Sequence, residues 1–321
     1  MKKHIICLII LLLYNSCGFF KPESVPQEFF KSDYKPFGEN GDGSKVVILP
    51  EPATLTFNKF NLPKLDGATA LYPLYAAFVQ AVYPKGEDYS IYGSVRPIVD
   101  VSTTPRAYEK LINGEVDIIF CAKPSVEQIE KAKEKELIFH MTPIGKEAFV
   151  FFVNKKNSIN NLSIEQIRSI YSGKVTNWSE LGGKKRKIIV YQRPKNSGSQ
   201  TVLESIMGTE NIIEPLTENV LTYMLDIVNQ TAVYRNYNNA IGYSFLFYTT
   251  QMVRNNKIKL LSINGVFPSK ETIQNETYPY TEEFYAITVN SDNEKVNKFI
   301  DWILSEQGQY LVDKVGYCPI K

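Results

Sequence analysis

Histidine is almost missing from this 321-residue chain; the two present are His4 and His140, and the first lies in a leader-like segment. One remaining histidine does not make a zinc site, and a Ser–His–acid triad would have to be built on His140 alone. Cysteine is scarce as well: of four, Cys7 and Cys17 fall near the amino terminus, which leaves Cys121 and Cys318. The chain has no Gly-rich loop ending in Gly-Lys-Ser/Thr, so a nucleotide P-loop is not indicated. Beyond the first 17 residues no apolar run is long enough to cross a bilayer. Nor does one sign of charge prevail. The 36 Lys and Arg, less Lys2 and Lys3 of the leader, leave 34 against 34 Asp and Glu. A formally neutral chain offers no broad basic surface for nucleic acid, so any anion selectivity must come from a local site.

The amino terminus has its own signature. Lys2 and Lys3 precede nine apolar residues, Ile5 to Leu13, followed by Tyr14-Asn15-Ser16-Cys17. A charged start, an apolar stretch too short to span a membrane and small residues before a cleavage point make an export signal. Its end on Cys17 is similar to a bacterial lipobox, with Tyr14 where leucine is usual; residues 1–17 are then removed and Cys17 carries lipid. The alternative is an ordinary signal peptide with an incidental cysteine. Residues 18–44 are rich in Pro, Gly, Ser and charge and read as a tether. Phe19, Phe20, Phe29, Phe30 and Phe37 are unusual in a bare linker and suggest that part of it packs on the domain or on the lipid surface. In an exported chain Cys121 and Cys318 are a candidate disulfide; the other reading is two buried small apolar residues.

About 300 residues remain, a length suited to two domains. Strand and helix signals alternate, which predicts an α/β architecture. Leu71 to Val82 is apolar at helical spacing, Val116 to Phe120 and Ala148 to Val153 read as buried strands, and Val126 to Glu136 as a charged surface helix. Ser163 and Gln166 have capping-box spacing. Ile241 to Phe245 and Phe284 to Val289 read as strands, and a helix follows from Val296.

The most informative stretch is 193–201, Arg-Pro-Lys-Asn-Ser-Gly-Ser-Gln-Thr, between the β-branched run at 188–191 and a helical run from Val202. A helix start offers unpaired N–H groups and partial positive charge. Ser197 and Ser199 add hydroxyls, Gly198 permits close approach, and Arg193 adds a rigid fork of donors, so the turn is an anion site in waiting. Two further segments share the plan of strand, Ser/Thr/Gly turn and helix: Gly67-Ala68-Thr69-Ala70 and Ser102-Thr103-Thr104. Alone, each is more often a helix cap than a site. If all three turns meet at the carboxyl ends of parallel strands, they hold a tetrahedral oxyanion with many donors and no base. A hydrolase reading would need Ser197 or Ser199 to find His140, and no Gly-x-Ser-x-Gly elbow lies nearby. The basic run at 184–187 follows Gly182-Gly183 and reads as a solvated loop. No cofactor or metal is called for.

Three stretches carry a resemblance: 144–151 (Ile-Gly-Lys-Glu-Ala-Phe-Val-Phe), 170–178 (Ile-Tyr-Ser-Gly-Lys-Val-Thr-Asn-Trp) and 192–201. With weaker matches at 66–69, 111–117 and 240–243, they resemble the phosphate-binding lipoproteins of bacterial phosphate ABC importers, the PstS-like group, over most of residues 64–317. The resemblance implies a type II periplasmic-binding-protein fold, two lobes with mixed sheets joined by two hinge crossovers at 148–153 and 241–246. Lobe I would comprise 45–147 and 247–321, and lobe II 148–246. It further implies that Ala68, Thr69, Ala70, Ser102 and Thr103 meet Arg193, Ser197, Gly198 and Ser199 around inorganic phosphate or a related oxyanion. The protein would be an exported monomer, lipid-anchored on the periplasmic or extracellular face, that delivers its ligand to an ABC permease. Two departures stand out: the carboxylate expected after the strand at 116–120 is replaced by Cys121-Ala122-Lys123, and the Asp expected in the Arg motif is absent, with Lys195 near its place. Asp66 and Asp100 are candidates for the missing acceptor. Sulfate, a phosphorylated metabolite or an organic anion remains as an alternative ligand, and a sensory or structural lipoprotein as an alternative role.

Overall fold

The computed structural model describes residues 33–37, 44–85, 89, 97–233, 238–289 and 292–320. The leader at 1–17, with Cys17, lies outside them. One mixed sheet of seven strands organises the chain in the order β1 (Leu65–Gly67), β2 (Ile118–Cys121), β9 (Thr281–Val289), β3 (Phe139–Asn154), β6 (Ala240–Phe245), β5 (Ile189–Val190), with β7 (Ile258–Leu260) also on β3. A separate parallel pair joins β4 (Asn161–Leu162) to β8 (Ser262–Ile263). β1–β2 and β5–β6 are parallel, whereas β2–β9, β3–β9 and β3–β6 are antiparallel.

The long strand β3 does what was expected of a strand confined to 148–153, and more. Its first part, Phe139 to Ala148, pairs with β9, while Phe149 to Val153 pairs with β6 and Phe152 to Asn154 with β7. It therefore runs from one apolar core into the other. Residues 148–153 are buried on both faces, as a strand covered on two sides must be, and so read as an unbroken apolar run.

The first core packs α1 (Tyr72–Val82), α8 (Glu294–Ile303) and α9 (Glu306–Val315) on one face of β1, β2 and β9. Strand alternation divides β2 between two layers: Ile118 and Phe120 enter this core, Ile119 and Cys121 the layer under α2 (Thr104–Ile112). Pro105 stands in the first turn of α2, where its missing N–H costs nothing. α3 (Val126–Lys133) starts on a capping box between Ser125 and Gln128, and α4 (Ile164–Tyr171) on one between Ser163 and Gln166. The second core gathers Phe149, Phe151, Tyr171, Trp178 and Tyr243 with residues from α5 (Gly198–Met207) and α6 (Met224–Ala232).

Two expectations are corrected here. Residues 258–280 were assigned with 247–321 to the first lobe, yet Leu261, Ile263, Ile273, Tyr278 and Tyr280 sit in the second core. β7 pairs with the far end of β3 and the Leu261 N–H donates to Phe151 O at 2.9 Å, which draws this segment across. Cys121 and Cys318 are free and buried. Cys121 packs in the layer under α2 and Cys318 in the second core, with β9 between β2, which ends on Cys121, and β3, where Cys318 pairs with Lys146, so the thiols are held apart and no bridge joins them. Within 18–44, Tyr34 is buried in the first core, Phe37 meets Tyr89 edge-on at 5.8 Å, and Ser44 Oγ donates to Lys35 O at 2.9 Å. Among the described residues no helix is long and apolar enough to cross a membrane.

Candidate functional site

Between the two cores lies a cavity of about 230 Å³. Part of its wall is made of helix starts. Residues 68–71 enter α1 through a short 3-10 turn, Thr103 is the N-cap of α2, Ser197 that of α5 and Tyr223 that of α6. Three α-helix N-termini thus face one space and lend it partial positive charge. Ala68, Thr69, Ala70, Thr103, Arg193, Ser197, Gly198 and Ser199 all line it, so eight of nine sequence-derived site residues share one cleft.

The donors are not equally available. The Ala68 N–H is spent on Phe120 O at 2.9 Å, so Ala68 contributes wall rather than a hydrogen bond. Thr103 caps α2 without a side-chain bond to the helix. Ser197 does cap α5, accepting from the Gln200 N–H at 3.4 Å. Ser199 Oγ is buried and has no partner. Arg193 is only 8% exposed. Its backbone N–H is held by Tyr243 Oη at 2.8 Å and Gln200 Oε1 at 3.1 Å, and Nη2 donates to Thr222 O at 2.8 Å. Nε and Nη1 are buried without a partner. Burial pulls the guanidinium pKa down, and nearby Tyr243, Tyr248 and Asp226 oppose that. A buried cation with two open donors is costly in isolation and stabilised by an incoming anion.

Ser102 is the exception. Its Oγ donates to Asp66 Oδ2 at 2.8 Å and its N–H to Asp66 Oδ1 at 2.9 Å, and it does not line the cavity. The reason is Asp66, fully buried one strand position before Gly67, which draws every nearby donor. Lys110 reaches it at 2.7 Å and also binds Asp100 at 2.5 Å. Burial raises the Asp66 pKa, while Lys110 and Ser102 pull it down. Neither Asp66 nor Asp100 lines the cleft, so neither is the acceptor sought for the missing carboxylate. Ala122 stands in the wall instead. Thr104, read from the sequence only as a helix start, takes the place expected of Ser102.

The two sides of the cleft touch. A Cβ on Gly198 would sit 2.9 Å from Thr104 Oγ1. Ser125 Oγ donates to Asn196 Oδ1 at 2.8 Å, Gln128 Nε2 to Asn196 O at 3.3 Å, and Lys195 lies 3.7 Å from Glu127. Asn196 adopts φ 67°, a left-handed turn that asparagine tolerates better than most residues.

Sequence reasoning missed Glu147, Thr222, Tyr223, Tyr248, Glu282 and Glu283, all in the wall. Glu147 could have been flagged as a lone carboxyl in the apolar run 144–153. It is 5% exposed, and its Oε1 accepts from the Phe247 N–H at 2.5 Å. Burial pushes its pKa from 4.5 up to about 8, with the Phe247 amide pulling the other way. The stability this group contributes is therefore full below about pH 4.5 and declines as pH rises towards 8, because only the unfolded chain ionises it. Melting curves between about pH 4 and 9 should show a decline in the wild type that Glu147→Gln lacks. Parallel curves for the two proteins would mean that Glu147 ionises like an exposed carboxylate.

His140, beyond reach of this chemistry, is exposed on β3 and does not line the cleft. Among the described residues no group of three or more His, Cys, Asp or Glu side chains could hold a metal ion.

Residues 63–307 match the family model described as the PBP superfamily domain. Among curated proteins, the phosphate-binding protein PstS of Bacillus subtilis is 26% identical over 262 residues, covering 80% of either chain. The phosphate-binding protein PstS of Borreliella burgdorferi is 27% identical over 291 residues, 88% of this chain and 93% of that one. Among solved structures, a substrate-binding protein from Clostridium perfringens with bound phosphate aligns with a TM-score of 0.61 at 23% identity, over 81% of this chain and 100% of that one. An ABC-type phosphate transport receptor from Vibrio cholerae aligns at 0.58 and 20% identity, over 79% and 98%. These two likenesses show the fold.

Proposed function

This chain belongs to the PBP superfamily, and from that premise we propose that it captures inorganic phosphate between two lobes and hands it to an ABC permease on the extracytoplasmic side of the membrane. The observation that carries the reading is Arg193, a guanidinium buried in the cleft with Nε and Nη1 unpartnered beside the unpartnered Ser199 Oγ. Its supports are the eight sequence-derived residues in one wall and relatives whose names describe phosphate binding.

The lobes follow the cores. Residues 45–147 with the chain from 281 onward make one, and 148–280 the other, with Phe247 anchored in the first core and Ala70 and Cys318 in the second. An anion bonded to residues 69–70 and 103–104 on one side and 193–199 on the other prefers the closed state, and so draws the lobes together. No covalent step belongs to this mechanism. Calorimetric titration with phosphate, sulfate and arsenate between about pH 5 and 9 tests it. Phosphate is expected to bind at micromolar affinity or better, about −8 kcal/mol. No heat with any tetrahedral oxyanion would sink the proposal.

Cys17 is read as the lipid attachment point that holds a monomer at the membrane surface, on the strength of the charged and apolar leader before it. Cys17→Ser should shift the protein from the membrane fraction to the soluble one. A variant that still sediments with membranes would remove the anchor from this account.

A further inference from the structure

The cleft is larger and more acidic than orthophosphate requires. A water needs about 10–15 Å³ of such space, so phosphorus and its four oxygens take on the order of 50–75 Å³. The cavity offers about 230 Å³. The surplus is not the gape of an open clamp, since Ser125 already bonds Asn196 and Thr104 already abuts Gly198. Its charges are also unbalanced. Among the described residues Arg193 is the one Lys or Arg in the wall, against the acidic residues Glu147, Glu282 and Glu283. Besides one guanidinium, a phosphate dianion there meets the acidic residues Glu147 and Glu282, while Glu283, paired with Lys146, projects from the other face of the strands.

These carboxyls have a separate structural origin from the anion donors. They come from the paired strands β3 and β9, not from the helix starts. Glu147 and Glu282 are directly opposed in register, so their side chains project from the same face of the sheet. Glu283 accepts from the Tyr285 hydroxyl at 2.8 Å. Burial raises the Glu282 pKa, while the exposed Lys123 favours its charged form. The wall also includes Leu71, Met224, Phe245 and Phe284, which accept the carbon of a substituent. Two carboxyls side by side on one face of a strand pair offer a cation two acceptors at once, and a cation there favours their charged form.

We propose that the cleft also takes a phosphate monoester whose substituent ends in a protonated amine, with its phosphoryl oxygens on Arg193 and Ser199 and its ammonium at Glu147 and Glu282. The proposal rests on the reading of Arg193 and Ser199 as the oxyanion seat and adds a second subsite to it. Binding is non-covalent, and arrival of the ammonium favours the ionised form of both carboxyls.

Calorimetry with three probes decides it: orthophosphate, ethyl phosphate and 2-aminoethyl phosphate, at about pH 7. Wild-type protein should bind the aminoethyl ester at least tenfold more tightly than the ethyl ester. Glu282→Gln, at the less buried carboxyl, should bring that ratio to within about threefold. Glu147→Gln should do the same if it folds; because Glu147 also holds the Phe247 amide, the Glu282 variant and the wild-type ratio carry the decision. Equal binding of the two esters, or a preference that survives Glu282→Gln, overturns the second subsite. Heat with orthophosphate and none with either ester also overturns it and leaves phosphate capture standing. No heat with any of the three overturns the oxyanion seat itself, and the second subsite with it.

Discussion

Replacing Arg193 with alanine is expected to weaken phosphate binding by about a hundredfold or more while hardly changing the melting temperature of the ligand-free protein. Nε and Nη1 are the buried, unpartnered donors. Two charge-assisted hydrogen bonds are worth about 1.5–3 kcal/mol each, and about 1.4 kcal/mol is tenfold in affinity. Their loss spans roughly two to four orders of magnitude in Kd. Without ligand the balance differs. The guanidinium is a buried charge whose side chain makes one hydrogen bond, at 2.8 Å to Thr222 O, so its removal takes away a desolvated cation as well as a contact. Arg193→Lys should recover only part of the affinity, because an ammonium lacks the planar fork. Calorimetry and a thermal melt on the same samples make the test. A Kd within threefold of wild type would take Arg193 out of the site.

The second large effect is steric. Gly198 opens α5 with no positive φ, so a larger residue there strains no backbone. What it meets is the opposite wall: a Cβ would lie 2.9 Å from Thr104 Oγ1 and 3.6 Å from Thr104 Cβ and Cγ2. Gly198→Val should therefore leave each core intact, keep the ligand-free melting temperature within a few degrees, and weaken phosphate at least tenfold by holding the lobes apart. The ligand binds the closed state more tightly than the open one, so any cost of closing appears directly as lost affinity. Thr104→Ala should restore part of the binding in the Gly198→Val background although it lowers it in the wild type. That sign reversal marks direct contact. Wild-type affinity in Gly198→Val would mean that α2 and α5 do not approach each other in the bound protein.

Both variants test a geometry in which residues far apart in the chain share one ligand, and the two kinds of information behind it have different reach. The helix starts at 69–72, 103–105 and 197–199 were legible because capping, proline placement and dipole are matters of a few consecutive residues. So were the strands at 118–121 and 148–153, whose apolar runs are set by burial on two faces. The proposed anion seat rests on Arg193 and Ser199, which the sequence flags because they lie on one turn.

Other assignments needed partners that local spacing cannot supply. Ser102 looked like the other hydroxyls, and only the buried Asp66, 36 positions away, turns it from the cleft. Asp66 itself looked like a free acceptor until Lys110 reached it from the second turn of α2. Cys121 and Cys318 form an even pair in sequence, but β9 stands between their strands and they pack in different cores. Glu147 and Glu282 are ordinary carboxyls until the register of β3 on β9 sets them opposite each other in the wall.

The amino-acid sequence by itself thus determined the elements, the family pattern and the chemistry of the anion seat, since each depends on residues within a helical turn or a strand's length. Tertiary structure alone decided which polar groups face the cleft, which are consumed behind it, and where residues 258–280 belong. Those outcomes depend on strand register and burial, which bring together residues tens to more than a hundred positions apart and let the most deeply desolvated charge claim its partners first.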